Sequence, residues 1–396
     1  MSPKAASYPN LTGFRFFTCM HVVVYHLFKP MAAAAGAPAW AQNLLRASTF
    51  GFFFVLSGFL LASAYGEKVG TEPGRRKFWL RRFARIVPLY LVVLAIAFPI
   101  AWVGAASRGG HATVLKALLA NLFMVQAWFQ GLVNTINSPA WSISVEMTLY
   151  ALFPFLVPAV RGLFRRMGFY PLFLLLLALQ GLNIGFLGLH EGWAALGAIG
   201  KVQTFGLYWV SFNPISWIPP FAMGLLLGFR LQERAECPPM RGWTWVVLGA
   251  ALSVALFLAF APTRLVLLAR VGLFSLPFST VIYLLARGSQ VSNPLNRFLG
   301  LRPLQRFGAA TYSVYVIHVP LWDYLQVGVA RAMHATPAAI GESPWFALGY
   351  LVALTLGGVW ICEHLEQPLT RWAGERLKRF QPKPSERAMT ATPESA

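Results

Sequence analysis

The chain has 396 residues, 57% hydrophobic and 12% charged, with a mean hydropathy of +0.57 and a formal net charge of +20. Soluble domains carry about 25% charged residues, so this composition excludes an ordinary soluble globular protein and points to an all-α, polytopic integral membrane protein. Three cysteines (Cys19, Cys237 and Cys362) are too few and too scattered for a disulfide framework or a zinc site, and in a membrane chain the excess of Lys and Arg reads as loop basicity that sets orientation, not as a nucleic-acid surface.

A spanning helix needs about 20 mostly apolar residues. Ten stretches qualify: 11–33, 47–65, 86–104, 140–160, 169–188, 212–231, 243–261, 271–286, 307–329 and 344–364. The N-terminus lacks a basic region followed by a small-residue cleavage site, so the first stretch is expected to stay as a helix. Segment 114–130 reads as one re-entrant or interfacial helix. With that assignment and the N-terminus inside, 24 Lys and Arg fall on the cytoplasmic side and 8 on the other, with Arg15 inside the first span. Counting 114–130 as a span would invert the three later basic clusters, so the positive-inside rule favours about ten spans with both termini cytoplasmic. A membrane domain over 1–370 and a basic, then disordered, cytoplasmic tail over 371–396 follow, in a multi-pass protein of the cell inner (plasma) membrane. In the outer stretch 189–211, Trp193, Tyr208 and Trp209 read as interfacial anchors.

Ionisable side chains at membrane depth are costly, face a protein interior or an aqueous cavity, and mark function by default. Arg15 and His26 are eleven residues apart on the first span. Eleven steps of about 100° bring both to one helix face, roughly 16 Å apart along the axis. His21 lies on another face and reads as packed or partnered. Ser57 and Gly58 on the second span are small residues that either allow close helix packing or line a site. Arg82 and Arg85, three apart, share a face at the cytoplasmic mouth of the third span, where arginines can clamp phosphates or contact lipid head groups. Glu146 is a carboxylate in the fourth span, and His318 an imidazole near the midplane of the ninth. Glu363 and Glu366 end the tenth span and read as interfacial. No metal-ligand spacing, nucleophile elbow or phosphate-binding glycine loop is present.

Taken together, these segments resemble the acyltransferase family 3 of membrane proteins, which O-acylate surface glycans and related molecules. The Arg–ten residues–His pattern is similar to Arg15 to His26, and Phe-Phe-x-x-Ser-Gly to Phe53–Gly58. Arg-x-x-Arg is similar to Arg82 and Arg85, Trp-Ser-x-Ser-x-Glu to Trp141–Glu146, and Tyr-Ser-x-Tyr-x-x-His to Tyr312–His318. One departure is Thr12, which stands where the family commonly carries an acid beside the arginine. The resemblance implies an acyl-CoA co-substrate (most simply acetyl-CoA) reaching from the cytoplasm, with no metal, and an extracytoplasmic glycan or glycolipid hydroxyl as acceptor. It implies His26 as general base or acyl carrier, with Glu146 and His318 orienting it or the acceptor. Arg15, Arg82, Arg85, Ser57 and Gly58 would bind the donor, and Trp141 and Ser144 the acceptor. The competing class is a proton-coupled transporter, for which buried His and Glu would relay protons.

Overall fold

The computed structural model describes residues 8–46, 50–191, 204–234, 239–262, 265, 268 and 272–380. In chain order the helices are α1 (Pro9–Ala34), α2 (Ala39–Arg46), α3 (Phe50–Tyr65), α4 (Glu72–Val103), α5 (His111–Leu122), α6 (Trp141–Met167), α7 (Phe169–Glu191) and α8 (Phe205–Phe212). There follow α9 (Ile218–Glu233), α10 (Trp243–Phe260), α11 (Ser275–Arg287), α12 (Pro294–Leu299), α13 (Arg302–Ala309), α14 (Thr311–Ala332), α15 (Pro337–Gly341), α16 (Pro344–Ile361) and α17 (Gln367–Lys378). No strand occurs among the described residues.

Each of the ten expected spans contains a helix. Seven helical runs are long and apolar enough to cross a membrane by length and composition: those of α1, α4, α6, α7, α9, α10 and α16–α17. The other three depart for physical reasons. α3 is apolar but has only 16 residues; residues 47–49 of that expected span lie outside the described residues. α11 has 13 residues. α14 has 22, but its sequence carries His318, Asp323 and Arg331, which lower its hydropathy.

Segment 114–130 does not form one helix. α5 stops at Leu122 after 12 residues, about 18 Å and short of a bilayer core of about 30 Å. The chain then runs irregularly, through a short 3-10 turn at Gln126–Trp128, to α6. Irregular backbone buried among apolar helices needs protein partners, and several are present. The Gln126 amide donates to the Tyr90 hydroxyl (3.2 Å) and the Ala140 carbonyl (2.9 Å). The Tyr90 hydroxyl donates to Asn121 Oδ1 (2.9 Å). Tyr208 donates to the Ala127 carbonyl (3.0 Å) and is buried, so it is a core strut and not the interfacial anchor expected of it. Trp193 lies outside the described residues.

α9 sits at the centre, with 78% of its apolar window buried, whereas α10 has 17% and turns its apolar face outward. The innermost crossing is that of α3 with α9. A Cβ on Gly58 would lie 2.1 Å from the Phe221 carbonyl oxygen, and one on Gly224 2.0 Å from that of Val55. The backbones are in contact here, as small residues permit between apolar helices. α4 has 32 residues, about 48 Å. Thr71 caps it, accepting from the Gly74 amide, and Glu72 complements the dipole of its first turn. The basic cluster 75–85 therefore rides on the same helix as the expected span 86–104, not on a loop. The helix of 344–364 also continues, through a π-turn at Cys362–Glu366 into α17, which packs along α4. Pro368 lacks an amide and crowds the carbonyl four residues earlier; a wide turn just before it accommodates both effects. Residues 371–378 are thus helical, and 381–396 lie outside the described residues.

Candidate active site: two cavities joined at one helix

α1, α3, α4, α6 and α14 enclose an inner cavity of about 250 Å³. Its charged walls are Arg15, Arg82, Arg85 and Glu146, and Phe53, Phe54, Leu56, Leu60 and Leu61 give it an apolar side. Arg15 donates from Nη2 to Thr311 Oγ1 (2.9 Å), so the partner for this cation comes from α14, where the sequence offers no acid near it on α1. Arg82 donates to the Tyr65 hydroxyl (3.2 Å), and its guanidinium carbon lies 5.2 Å from the Tyr65 ring centre and 5.9 Å from that of Tyr150. The Nε atoms of Arg15 and Arg82 are buried and have no hydrogen-bond partner. Glu146 accepts from the Tyr150 hydroxyl one turn along the same helix. Arg85 pairs with Glu366 at 2.9 Å. With both carboxylates ionised, the three arginines leave one net positive charge on this wall, which suits an anion.

A second cavity of about 200 Å³ adjoins this one toward the start of α4 and shares Leu60, Leu61 and Arg82 with it. An outer cavity of about 160 Å³ adjoins it on the opposite side. His26 lines the outer cavity, with Tyr25, Asn134, Trp141 and Ser211, and Phe50 lies in the walls of both inner and outer cavities. The Phe50 ring meets Trp141 edge-on at 4.9 Å and Tyr315 at 6.3 Å, forming an aromatic partition. The Tyr315 hydroxyl donates to the Pro139 carbonyl (2.8 Å), and the Ser142 hydroxyl lies 2.8 Å from it. α1 therefore runs past both cavities, with Arg15 in the inner and His26 in the outer.

The His26 and His318 rings lie 5.1 Å apart at 55°. His318 Nδ1 sits 2.7 Å from the Tyr315 carbonyl oxygen. A carbonyl only accepts, so the proton resides on Nδ1, and Nε2 of a neutral ring presents a lone pair. That Nε2 is buried without a partner.

The expected residues thus divide between two places. Arg15, Ser57, Arg82, Arg85 and Glu146 meet in the inner cavity; His26 and Trp141 line the outer one, and His318 stands against His26. Glu146 joins the arginines instead of the histidine pair. Gly58 belongs to the α3–α9 crossing and lines neither cavity. Ser144 is fully buried, accepts from the Ala127 amide (3.2 Å) and also lines neither. His21 is partnered, with Nε2 3.0 Å from the Leu44 carbonyl oxygen. Of the two glutamates that end the tenth span, Glu363 makes an ion pair with Arg306 in which each side chain is more than a third exposed. Glu366 is different: its side chain is fully buried, and it accepts from Ser313 Oγ (2.5 Å) while holding Arg85. Sequence reasoning missed it because the residues it joins are separated by hundreds of positions; the Gln-Pro step that accompanies the π-turn is the local signal. Among the described residues no group of three or more His, Cys, Asp or Glu is placed to hold a metal.

The profile of a family described as an acyltransferase domain matches residues 8–363. The acyltransferase MdmB of Streptomyces mycarofaciens is 34% identical over 168 residues, covering 41% of this chain and 42% of that protein. The O-acetyltransferase OatA of Staphylococcus aureus is 24% identical over 329 residues, covering 79% and 50%. The putative peptidoglycan O-acetyltransferase YrhL of Bacillus subtilis is 29% identical over 167 residues, covering 37% and 23%. The chain spans about half or less of the length of the curated relatives it matches. No solved structure matches it.

Proposed function

The chain belongs to the acyltransferase 3 family, and from that premise we propose that it transfers an acyl group, most simply acetyl, from cytoplasmic acyl-CoA to a hydroxyl of an extracytoplasmic glycan or glycolipid. The observation that carries this reading is the pair of adjoining cavities with Arg15 and His26 on one helix, an anion-suited wall in one and an imidazole in the other. Ten spans with both termini cytoplasmic, in the inner (plasma) membrane, would put the arginine end inside, where acyl-CoA is found.

In this reading Arg82, which lines both the 200 Å³ cavity and the inner one, holds the donor's phosphates, with Arg15 and Arg85 adding positive charge from the inner cavity. The pantetheine arm extends through the inner cavity toward Phe50. The acceptor hydroxyl gives its proton to His26 as its oxygen attacks the thioester carbonyl. The carbon–sulfur bond breaks, and the thiolate leaves as CoA, taking up the proton from the imidazolium. His318 orients His26 through ring contact, with its own tautomer set by the Tyr315 carbonyl. Glu146 holds Tyr150 and offsets the arginine charge. Phe50 and Trp141 keep water from the thioester until an acceptor arrives.

Purified protein incubated with acetyl-CoA and an acceptor extract should release free CoA, and His26→Ala should release about 10²- to 10⁴-fold less, the range for loss of a general base. A transporter releases none. Wild-type release by His26→Ala would remove His26 from the chemistry.

A further inference from the structure

Glu366 stands behind Arg85 and does not line the inner cavity. Its side chain is fully buried and pairs with Arg85 Nη2 at 2.9 Å, while Arg85 keeps 39% of its own side chain exposed and lines the cavity. Ser313 Oγ donates to the other carboxylate oxygen at 2.5 Å. The preceding residue, Tyr312, donates to the carbonyl of Ile86, beside Arg85 (2.7 Å). Thr311 accepts from Arg15 (2.9 Å). The first turn of α14 thus fixes the carboxylate and the backbone next to Arg85 together, so the ion pair is held by more than its own attraction. Arg85 follows Arg82 by three residues, about 4.5 Å along α4. An anion at Arg82 therefore feels both charges of the pair with little screening, the Debye length being about 8 Å at physiological salt. With both carboxylates ionised the wall carries one net positive charge; with Glu366 made neutral it carries two.

We propose that Glu366 is a counter-charge that limits the affinity of the inner cavity for acyl-CoA and for the CoA that leaves it. This deepens the acyl-transfer reading and rests on it for the identity of the ligand. Donor and product carry the same phosphates, so a charge that tightens one tightens the other. Such uniform binding slows product release without speeding transfer. Glu366 touches neither donor nor acceptor; it acts through space, by cancelling most of the charge that Arg85 presents to the cavity. A purely structural carboxylate at this place would change Tm and yield, and its loss would not respond to the charge of the ligand or to salt.

The test is isothermal titration calorimetry of CoA on the full chain in phosphatidylcholine nanodiscs at low salt, with pantetheine, which has no phosphate, as the neutral probe. Glu366→Gln keeps the size of the side chain and an oxygen for Ser313 while removing the charge. One charge about 8 Å from two phosphate charges, in a waterlike dielectric, corresponds to roughly three- to tenfold in Kd. Glu366→Gln should bind CoA more tightly by that factor. The gain should shrink as added salt shortens the Debye length, and pantetheine should show the same affinity, or none, in both proteins. The double variant Arg85→Gln/Glu366→Gln strands no buried charge, so it serves if Glu366→Gln fails to fold. Its wall again carries one net positive charge, and it should bind CoA about three- to tenfold more tightly than Arg85→Gln. Equal or weaker binding by Glu366→Gln, no tightening from Arg85→Gln to the double variant, or a gain that salt leaves unchanged overturns the proposal. CoA bound equally by wild type and variants removes the counter-charge and leaves the acyl-CoA reading standing; no CoA binding by the folded wild-type chain removes both.

Discussion

Arg82 and Arg85 look equivalent in sequence, three residues apart on one helix face, yet they have different partners in the structure, and the proposed donor binding should weigh on them unequally. Arg82 donates to Tyr65 and keeps a buried Nε without a partner. Its side chain lines both the inner and the 200 Å³ cavity. Arg85 is bound at 2.9 Å to a carboxylate whose side chain is fully buried, while its own is 39% exposed. A hydrogen bond to a charged group is worth about 1.5–3 kcal/mol. Arg82→Gln should therefore raise KM for acetyl-CoA about ten- to a hundredfold, with kcat changed much less. Thermal stability should fall only modestly, through lost contact with the rings of Tyr65 and Tyr150. Arg85→Gln strands Glu366 in the interior with Ser313 as its remaining partner. Breaking a fully buried pair costs about 3–5 kcal/mol; solvent access to Arg85 reduces this to roughly 1–3 kcal/mol. That variant should lose several degrees of Tm and show the smaller change in KM. Initial rates of CoA release over a range of acetyl-CoA concentrations, with Tm measured on the same preparations, decide the matter. A larger KM effect at Arg85 than at Arg82, or an Arg82 variant whose kcat collapses at unchanged KM, would refute the assignment of Arg82 to donor binding.

Three further outcomes follow. Phe50→Ala joins the inner and outer cavities, so CoA release in the absence of acceptor should rise several-fold as water reaches the thioester; unchanged release would show that Phe50 is no partition. Gly58→Val drives a side chain into the Phe221 carbonyl, and overpacking of this kind costs about 1–3 kcal/mol or more, read as lower Tm and yield, whereas Gly249→Ala on α10, whose added Cβ meets open space, should be near neutral. His318→Phe keeps a ring against His26 but removes Nε2; kcat should fall while KM for acetyl-CoA holds, and full activity would confine His318 to packing.

The elements of this fold were legible wherever one helix carried the whole signal. Apolar length located all ten expected helices, and helical spacing put Arg15 and His26 on one element. The same spacing could not say that a wall stands between them, because Phe50 and Trp141 are brought there by other helices. The end of α5 was not readable from hydropathy, since 114–130 is mostly apolar on both sides of Leu122 and its break depends on Gln126 and Asn121 meeting Tyr90 from α4. Glu366 was hidden for a related reason: a carboxylate at the end of an apolar run looks interfacial until a π-turn directs it inward to Arg85. Ser144 and Gly58 show the opposite effect, motif residues whose atoms are engaged by neighbouring backbone.

In the proposed reaction this chain places acyl groups on an envelope glycan through His26. The direct measurement is mass spectrometry of envelope glycans and glycolipids from cells lacking the gene, restored with either the wild-type chain or His26→Ala at equal membrane abundance. A glycan heavier by one acyl group is expected in wild-type cells only, absent from the deletion and from His26→Ala. The same acyl group on the glycans of the deletion strain, or its full return with His26→Ala, would contradict it.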